Sequence, residues 1–193
     1  LELIEEATRR CRTIVQKLMT YAKKPLEVTE VSRVNLHRVV KNVIAFLGYQ
    51  LEQENIKIAA DIQEDNYIII GNQNELEQVL TNIILNARDA IKQIKKAGIV
   101  QVSLLKRGEW IDLEIMDEGA GIPKEIMPKI FDPFFTTKEV GKGVGLGLSI
   151  CQAIVEKHNG TIEVKSELNE GTVFMIKLPK AKEESIVKSA SHF

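Results

Sequence analysis

The sequence predicts an α+β fold, a two-layer sandwich of a mixed sheet with helices on one face, preceded by one amphipathic helix. Two observations carry this. Segments that alternate with period two fall in pairs around short turns, while two long stretches place apolar residues at steps of three and four. A proline at position 25 then sets the first amphipathic stretch apart from the rest.

Residues 1–24 form the first of those stretches. Ile4, Ala7, Cys11, Ile14, Val15, Leu18 and Ala22 make a single stripe, with Glu2, Glu5 and Glu6 at its start and Lys23 and Lys24 at its end. Both charge placements suit the helix dipole. The stripe needs a partner, either its own domain or another helix of a hairpin or dimer bundle. Val28–Val34 alternates as a short strand, and Leu36–Leu47 is an amphipathic helix. Ile56–Ile62 and Tyr67–Ile70 read as strands, and Asn74–Lys96 as a long helix closed by Ala97-Gly98. Ile99–Lys106 and Trp110–Met116 flank Arg107-Gly108-Glu109, a hairpin signal. Residues 117–147 are irregular, Leu148–His158 is a helix ended by Asn159-Gly160, and Thr161–Ser166 and Thr172–Leu178 are the last strand pair. Residues 181–193 read as a disordered tail, so the expected division is 1–25, 26–180 and 181–193.

Composition narrows the function. The chain has 193 residues, 44% hydrophobic and 27% charged, which is enough for a real core without disulfides or metals as staples. A net charge of -1 argues against bulk attraction to nucleic acid. Two cysteines make no disulfide framework or metal site. No apolar run approaches the roughly 18 residues of a membrane span. The chain opens at Leu1 without a leader pattern and reads as part of a longer protein.

Four segments carry chemistry. Six of the 12 glycines lie between 119 and 147, four of them alternating in GKGVGLGLS. A backbone without Cβ atoms can aim successive N–H groups at a phosphate, and the helix that follows adds its own unpaired N–H groups. Taken alone, the segment also reads as a flexible loop. The helix 74–96 has an apolar face beside a polar stripe that includes Asn82, Asn86 and Asp89. That stripe is either hydration or a neutral oxygen ligand for Mg²⁺. Asp117-Glu118-Gly119-Ala120-Gly121-Ile122 follows a strand and is either a turn or an acceptor for a ligand amine. Phe131-Asp132-Pro133-Phe134-Phe135-Thr136-Thr137-Lys138 sets three aromatics beside the glycine loop, as in a lid anchored at one end.

In this order and spacing the four segments resemble the sensor histidine kinases, within the wider ATPase superfamily that includes gyrase, the Hsp90 chaperones and MutL. NELEQVLTNIILNARDAI is similar to the N box, DEGAGI to the G1 box, FDPFFTTK to the F box and GKGVGLGL to the G2 box. Gly171-Thr172-Val173-Phe174 resembles the closing Gly-Thr motif, and residues 1–24 resemble the second helix of the dimerisation and histidine-phosphotransfer hairpin.

The resemblance implies a Bergerat-type fold that binds ATP and Mg²⁺. It implies that Asn86 coordinates the metal, that Asp117 accepts from the adenine amino group, and that Thr172 assists through water. Gly143, Gly145 and Gly147 cradle the phosphates, with Gly119, Gly121, Ile122, Phe131, Thr137, Val144, Leu146 and Leu148 around the nucleotide. Many sensor kinases carry a basic residue three positions after the metal Asn, but here that position is Asp89. Arg88 points about 160° away on an ideal wheel, so a cation on the phosphates is expected from Lys138 or Lys142. The superfamily's ATPases place a water-activating Glu one turn before the metal Asn, where this chain has Asn82. An amide is no general base, so transfer is favoured over hydrolysis, with Asn82, Asn86 and Lys138 as the catalytic candidates.

The implied partners are ATP, a response-regulator receiver domain and a second copy of the chain, joined through the N-terminal helix. The implied setting of the catalytic region is the cytoplasm. The family's phosphoacceptor histidine lies on a preceding helix, and His37, His158 and His192 lack its setting. Rival readings are another ATPase or a serine kinase of the superfamily, and a non-catalytic nucleotide-dependent docking module.

Overall fold

A computed structural model describes residues 31–63, 66–94, 97–138 and 143–182. The expected helix at 1–24, the start of the first strand, Lys142 and the tail from 183 lie outside the described residues.

The elements run β1 (Ser32–Asn35), α1 (Leu36–Gln53), β2 (Ile56–Ile62), β3 (Ile68–Gly71), α2 (Gln73–Ile94), β4 (Gly98–Arg107) and β5 (Trp110–Asp117). A 3₁₀ turn at Met127–Lys129 interrupts the long connection before α3 (Gly147–Lys157), and β6 (Thr161–Glu167) and β7 (Gly171–Pro179) are the last of the described elements. The strands form two sheets instead of one. A five-stranded sheet has the order β2-β4-β5-β7-β6, and β1 pairs antiparallel with β3 in a separate ribbon. Only β2 and β4 are parallel, so the main sheet is mixed.

The pleat explains the layering. On β5, Ile111, Leu113 and Ile115 are buried while Trp110 and Met116 are exposed, so one face takes the helices and the other faces water. Leu80, Ile83, Ile84 and Ile91 of α2 are fully buried against that inner face, together with Leu36, Val40 and Leu51 of α1. Each such side chain contributes about 1.5–3 kcal/mol of transfer free energy.

Helix α1 runs six residues beyond the expected end at Leu47, to Gln53. It runs through Gly48, although glycine is a poor helix former. Its site is open, with nothing near a Cβ position, and one turn beyond Leu47 the fully buried Leu51 extends the apolar stripe. Packing outweighs propensity, and the chain turns at Asn55, whose φ is 58°.

Two further ties close the domain. Lys180 bridges Ile69, and Ala181 is buried and donates its N–H to the Ile68 carbonyl at 2.8 Å. The C-terminal strap thus reaches back to β3. His158, at the end of α3, donates from Nδ1 to the Ile154 carbonyl at 2.7 Å, and its Nε2 accepts the Asn72 N–H at 2.9 Å. This staples α3 to the start of α2.

Candidate functional site

Helix α2 organises the site through three positions four residues apart. Asn82, Asn86 and Ala90 share one helical face, and each meets a different segment of the irregular region.

Asn82 meets α3. Its side-chain amide donates to the Gly147 carbonyl at 3.4 Å and approaches Cys151 Sγ at 3.8 Å. The α3 N-terminus is therefore tied to α2. Burial pushes the Cys151 thiol up to about 12, so it is an inert packing group. Among the described residues no side chain caps α3, and its first turn holds no acid. A helix start without a side-chain cap has N–H groups to offer other partners, as at anion sites. Leu146, just before, is buried in the core and anchors this end of the glycine segment.

Asn86 meets Lys138. The ammonium Nζ lies 3.4 Å from Asn86 Oδ1 and 2.5 Å from Asp89 Oδ2. Burial works against the charge of Asp89, but hydrogen bonds from Lys138 and Arg88 overcome it and hold the carboxyl below its ordinary range. Arg88 turns away from Asn86 and bonds Asp89 from the other side at 2.6 Å. Of the two expected lysines, Lys138 reaches Asn86, while Lys142 lies outside the described residues. The amide oxygen of Asn86 thus faces a cation and offers the hard, neutral donor that Mg²⁺ accepts.

Ala90 meets the loop after β5. Its carbonyl accepts the Ala120 N–H at 3.0 Å. A Cβ on Gly119 would come 2.6 Å from the Ala90 backbone, so only glycine lets the loop lie against the helix. Asp117, at the end of β5, is paired in register with Thr172 of β7, and both are buried. Burial pushes the Asp117 carboxyl up to about 6, while hydrogen bonds from the Gly119 and Thr172 backbone N–H groups pull the other way. The Gly119 N–H reaches Oδ1 at 2.7 Å. After Gly121, the Ile122 N–H donates to Ser166 Oγ at 2.8 Å.

The remaining candidates lie in the segment expected to form a lid. Phe131 packs partly buried against the core, Phe134 is exposed with φ 69°, and Thr137 is exposed. Gly145 has φ 72°, and a Cβ there would lie 2.4 Å from the Phe134 backbone, so the Phe134 and Gly145 backbones touch at a glycine. Gly143 and Val144 follow the undescribed stretch 139–142.

Two further residues enter this arrangement. Asp89 was noted as a departure, yet it holds Lys138. Ser166 was missed, although a signal existed: on β6 it follows Ile162 and Val164 on the inward face and is the polar residue of that row.

An asparagine facing a cation, a buried strand-end carboxylate and an uncapped helix after a glycine run stand on one helix-organised surface. Residues 71–182 match the family described as histidine kinase-, DNA gyrase B-, and HSP90-like ATPase. The chain belongs to that family. Domains of the histidine kinase-, gyrase- and HSP90-like ATPase family bind Mg-ATP. Among curated relatives of this ATPase-family chain, sporulation kinase C of Bacillus subtilis (strain 168) is 35% identical over 179 residues, which is 92% of this chain and 40% of that protein. Sensor kinase CckA of Brucella abortus (strain 2308) is 33% identical over 193 residues, 94% of this chain and 20% of CckA. This family member thus spans well under half the length of these relatives. The nucleotide-free catalytic domain of histidine kinase ThkA superposes with a TM-score of 0.70 at 29% identity, covering 79% of this chain and 99% of that one. ThkA in complex with response regulator protein TrrA gives 0.74 at 28% identity, covering 94% and 51%. The chain is an ATPase-family catalytic domain of the histidine-kinase type. None of its described helices is long and apolar enough to cross a membrane.

Proposed function

We propose that this domain binds Mg-ATP and transfers the γ-phosphoryl group to a histidine on a dimerisation helix, for relay to an aspartate of a response-regulator receiver domain. The observation that carries this is the single face of α2 whose Asn82, Asn86 and Ala90 meet the α3 N-terminus, the lid lysine and the Asp117 loop.

On this reading Asp117 accepts from the adenine amine with Thr172 beside it, and the loop from Gly119 to Ile122 shapes that end. Phe131 and Thr137 bound the lid. The backbone of Gly143, Val144 and Gly145, the start of α3 from Leu146 to Leu148, and the Lys138 and Lys142 ammonium groups hold the phosphates. Asn86 Oδ1 is the protein ligand for Mg²⁺, which when bound neutralises charge on the phosphate oxygens. Catalysis is then positioning and charge stabilisation. Asn82 spends its amide on Gly147 and offers no basic atom for activating water, which favours transfer over hydrolysis. Residues 1–25 supply the dimerisation helix, 26–180 the catalytic unit and 181–193 a tail, and the catalytic unit works in the cytoplasm, where ATP is.

The test is a calorimetric titration of the chain with Mg-ATP, followed by a transfer assay with a separately supplied histidine-bearing helical hairpin. Binding followed by acid-labile label on the hairpin histidine is expected. Binding without transfer to any hairpin would leave a docking module instead.

A further inference from the structure

Ser166 carries more than a turn contact. Its hydroxyl has three neighbours: the Ile122 N–H at 2.8 Å, the Gly171 carbonyl oxygen at 2.7 Å and Thr172 Oγ1 at 2.9 Å. The Ile122 amide can only donate, and the carbonyl can only accept. The two hydroxyls hold one proton each, and each hydroxyl oxygen can accept two hydrogen bonds. One assignment satisfies every contact. Ser166 donates to Gly171, and Thr172 donates to Ser166, whose oxygen then accepts twice. The reverse direction would leave the Ser166 and Gly171 lone pairs facing each other at 2.7 Å.

Thr172 has therefore spent its proton inside the protein. Its two lone pairs remain, on the same face of the sheet as Asp117, its register partner, which is acceptor-only when ionised. We propose that Ser166 is a specificity-determining positioning residue: by drawing the Thr172 proton to itself, it makes the Asp117–Thr172 corner a pure acceptor surface. This rests on the proposed seat of the base at Asp117. An exocyclic amine brings two N–H groups to such a corner. An oxo-purine brings a lone pair and meets acceptors on both residues. Freed from Ser166, the Thr172 hydroxyl could rotate and donate to that oxo group, so the amine-over-oxo preference is set partly by a residue on the neighbouring strand.

The test is calorimetric titration of the full chain with ATP and with inosine triphosphate, both with Mg²⁺. Ser166→Ala should lower the ratio of the two affinities by about tenfold, the scale of one hydrogen bond. Ser166→Thr, which keeps the hydroxyl, should preserve the ratio. Thr172→Val should lower it too, and adding Ser166→Ala to Thr172→Val should lower it no further, because Ser166 acts through Thr172. A general loosening would weaken both triphosphates together. A wild-type chain that prefers ATP and an unchanged ratio in Ser166→Ala would overturn the inference and leave the ATP reading intact. If Ser166→Ala fails to fold, an unchanged ratio in Thr172→Val overturns it equally. A wild-type chain that binds neither triphosphate, or both alike, would overturn the reading beneath it as well.

Discussion

Lys138 bridges Asp89 and Asn86: one ammonium lies 2.5 Å from the carboxylate and 3.4 Å from the amide oxygen. The lid therefore brings to α2 the positive charge that α2 does not itself supply at position 89. Lys138→Met should weaken Mg-ATP by about tenfold in calorimetry, the scale of a lost hydrogen bond to a charged group. The melting temperature should hardly move. Both partners are about 30% exposed, and such pairs contribute about 1 kcal/mol or less. A large loss of stability with unchanged affinity would make Lys138 structural only.

Asn86→Ala should remove the magnesium dependence of ATP binding. The amide is the proposed protein ligand, and alanine offers no oxygen. Titrations with and without Mg²⁺ should give the same weak affinity in the variant and different affinities in the wild type. A variant that keeps the full magnesium effect would put the metal elsewhere.

Asp117 predicts opposite pH trends for binding and stability. Its carboxyl stands at about 6 in the fold against an ordinary 3.8, chiefly because it is buried. The folded state therefore holds a proton that the unfolded state has released. Stability from this group is present in full below about 3.8 and lost as pH rises through 6. Binding runs the other way, since only the carboxylate accepts from an amine. ATP affinity should fall by roughly tenfold per unit below pH 6, while Asp117→Asn should be weak and flat across that range. A wild-type profile that is flat between pH 7 and pH 5 would contradict the assignment.

Gly119→Ala should cost binding more than folding. Its Cβ would meet the Ala90 backbone at 2.6 Å, so the loop must lift off α2 and carry Asp117's N–H partner with it. We expect a drop in ATP affinity with circular dichroism unchanged. Equal affinity would mean that the loop absorbs the methyl without consequence.

The strands and helices were legible because the apolar pattern sets which face is buried. The end of α1 was not: the helix runs past Leu47 through Gly48, which sits in open space, and Leu51 one turn beyond Leu47 completes the buried stripe. Asn86, Asp117 and Thr172 are singled out by motif, and the structure sets Asn86 beside Lys138 and Asp117 in register with Thr172. The Lys138–Asp89 bridge was not legible, because sequence distance hides a pair 49 residues apart. Ser166 was readable only as a polar residue on an inward face, and its weight comes from the direction of a proton, which depends on the three groups that surround it.

The staple at His158 has a chemical consequence. An imidazole that accepts a phosphoryl group needs a nitrogen with a free lone pair to attack phosphorus. At His158 the Nδ1 lone pair is in the ring π-system because that nitrogen carries the proton given to Ile154, and the Nε2 lone pair is engaged by the Asn72 N–H. The ring is buried and has no nucleophilic edge to offer. Acylating reagents aimed at imidazole should pass it by until the domain unfolds, so its modification rate would report opening of the α2–α3 junction in a domain whose proposed chemistry is directed at histidines elsewhere.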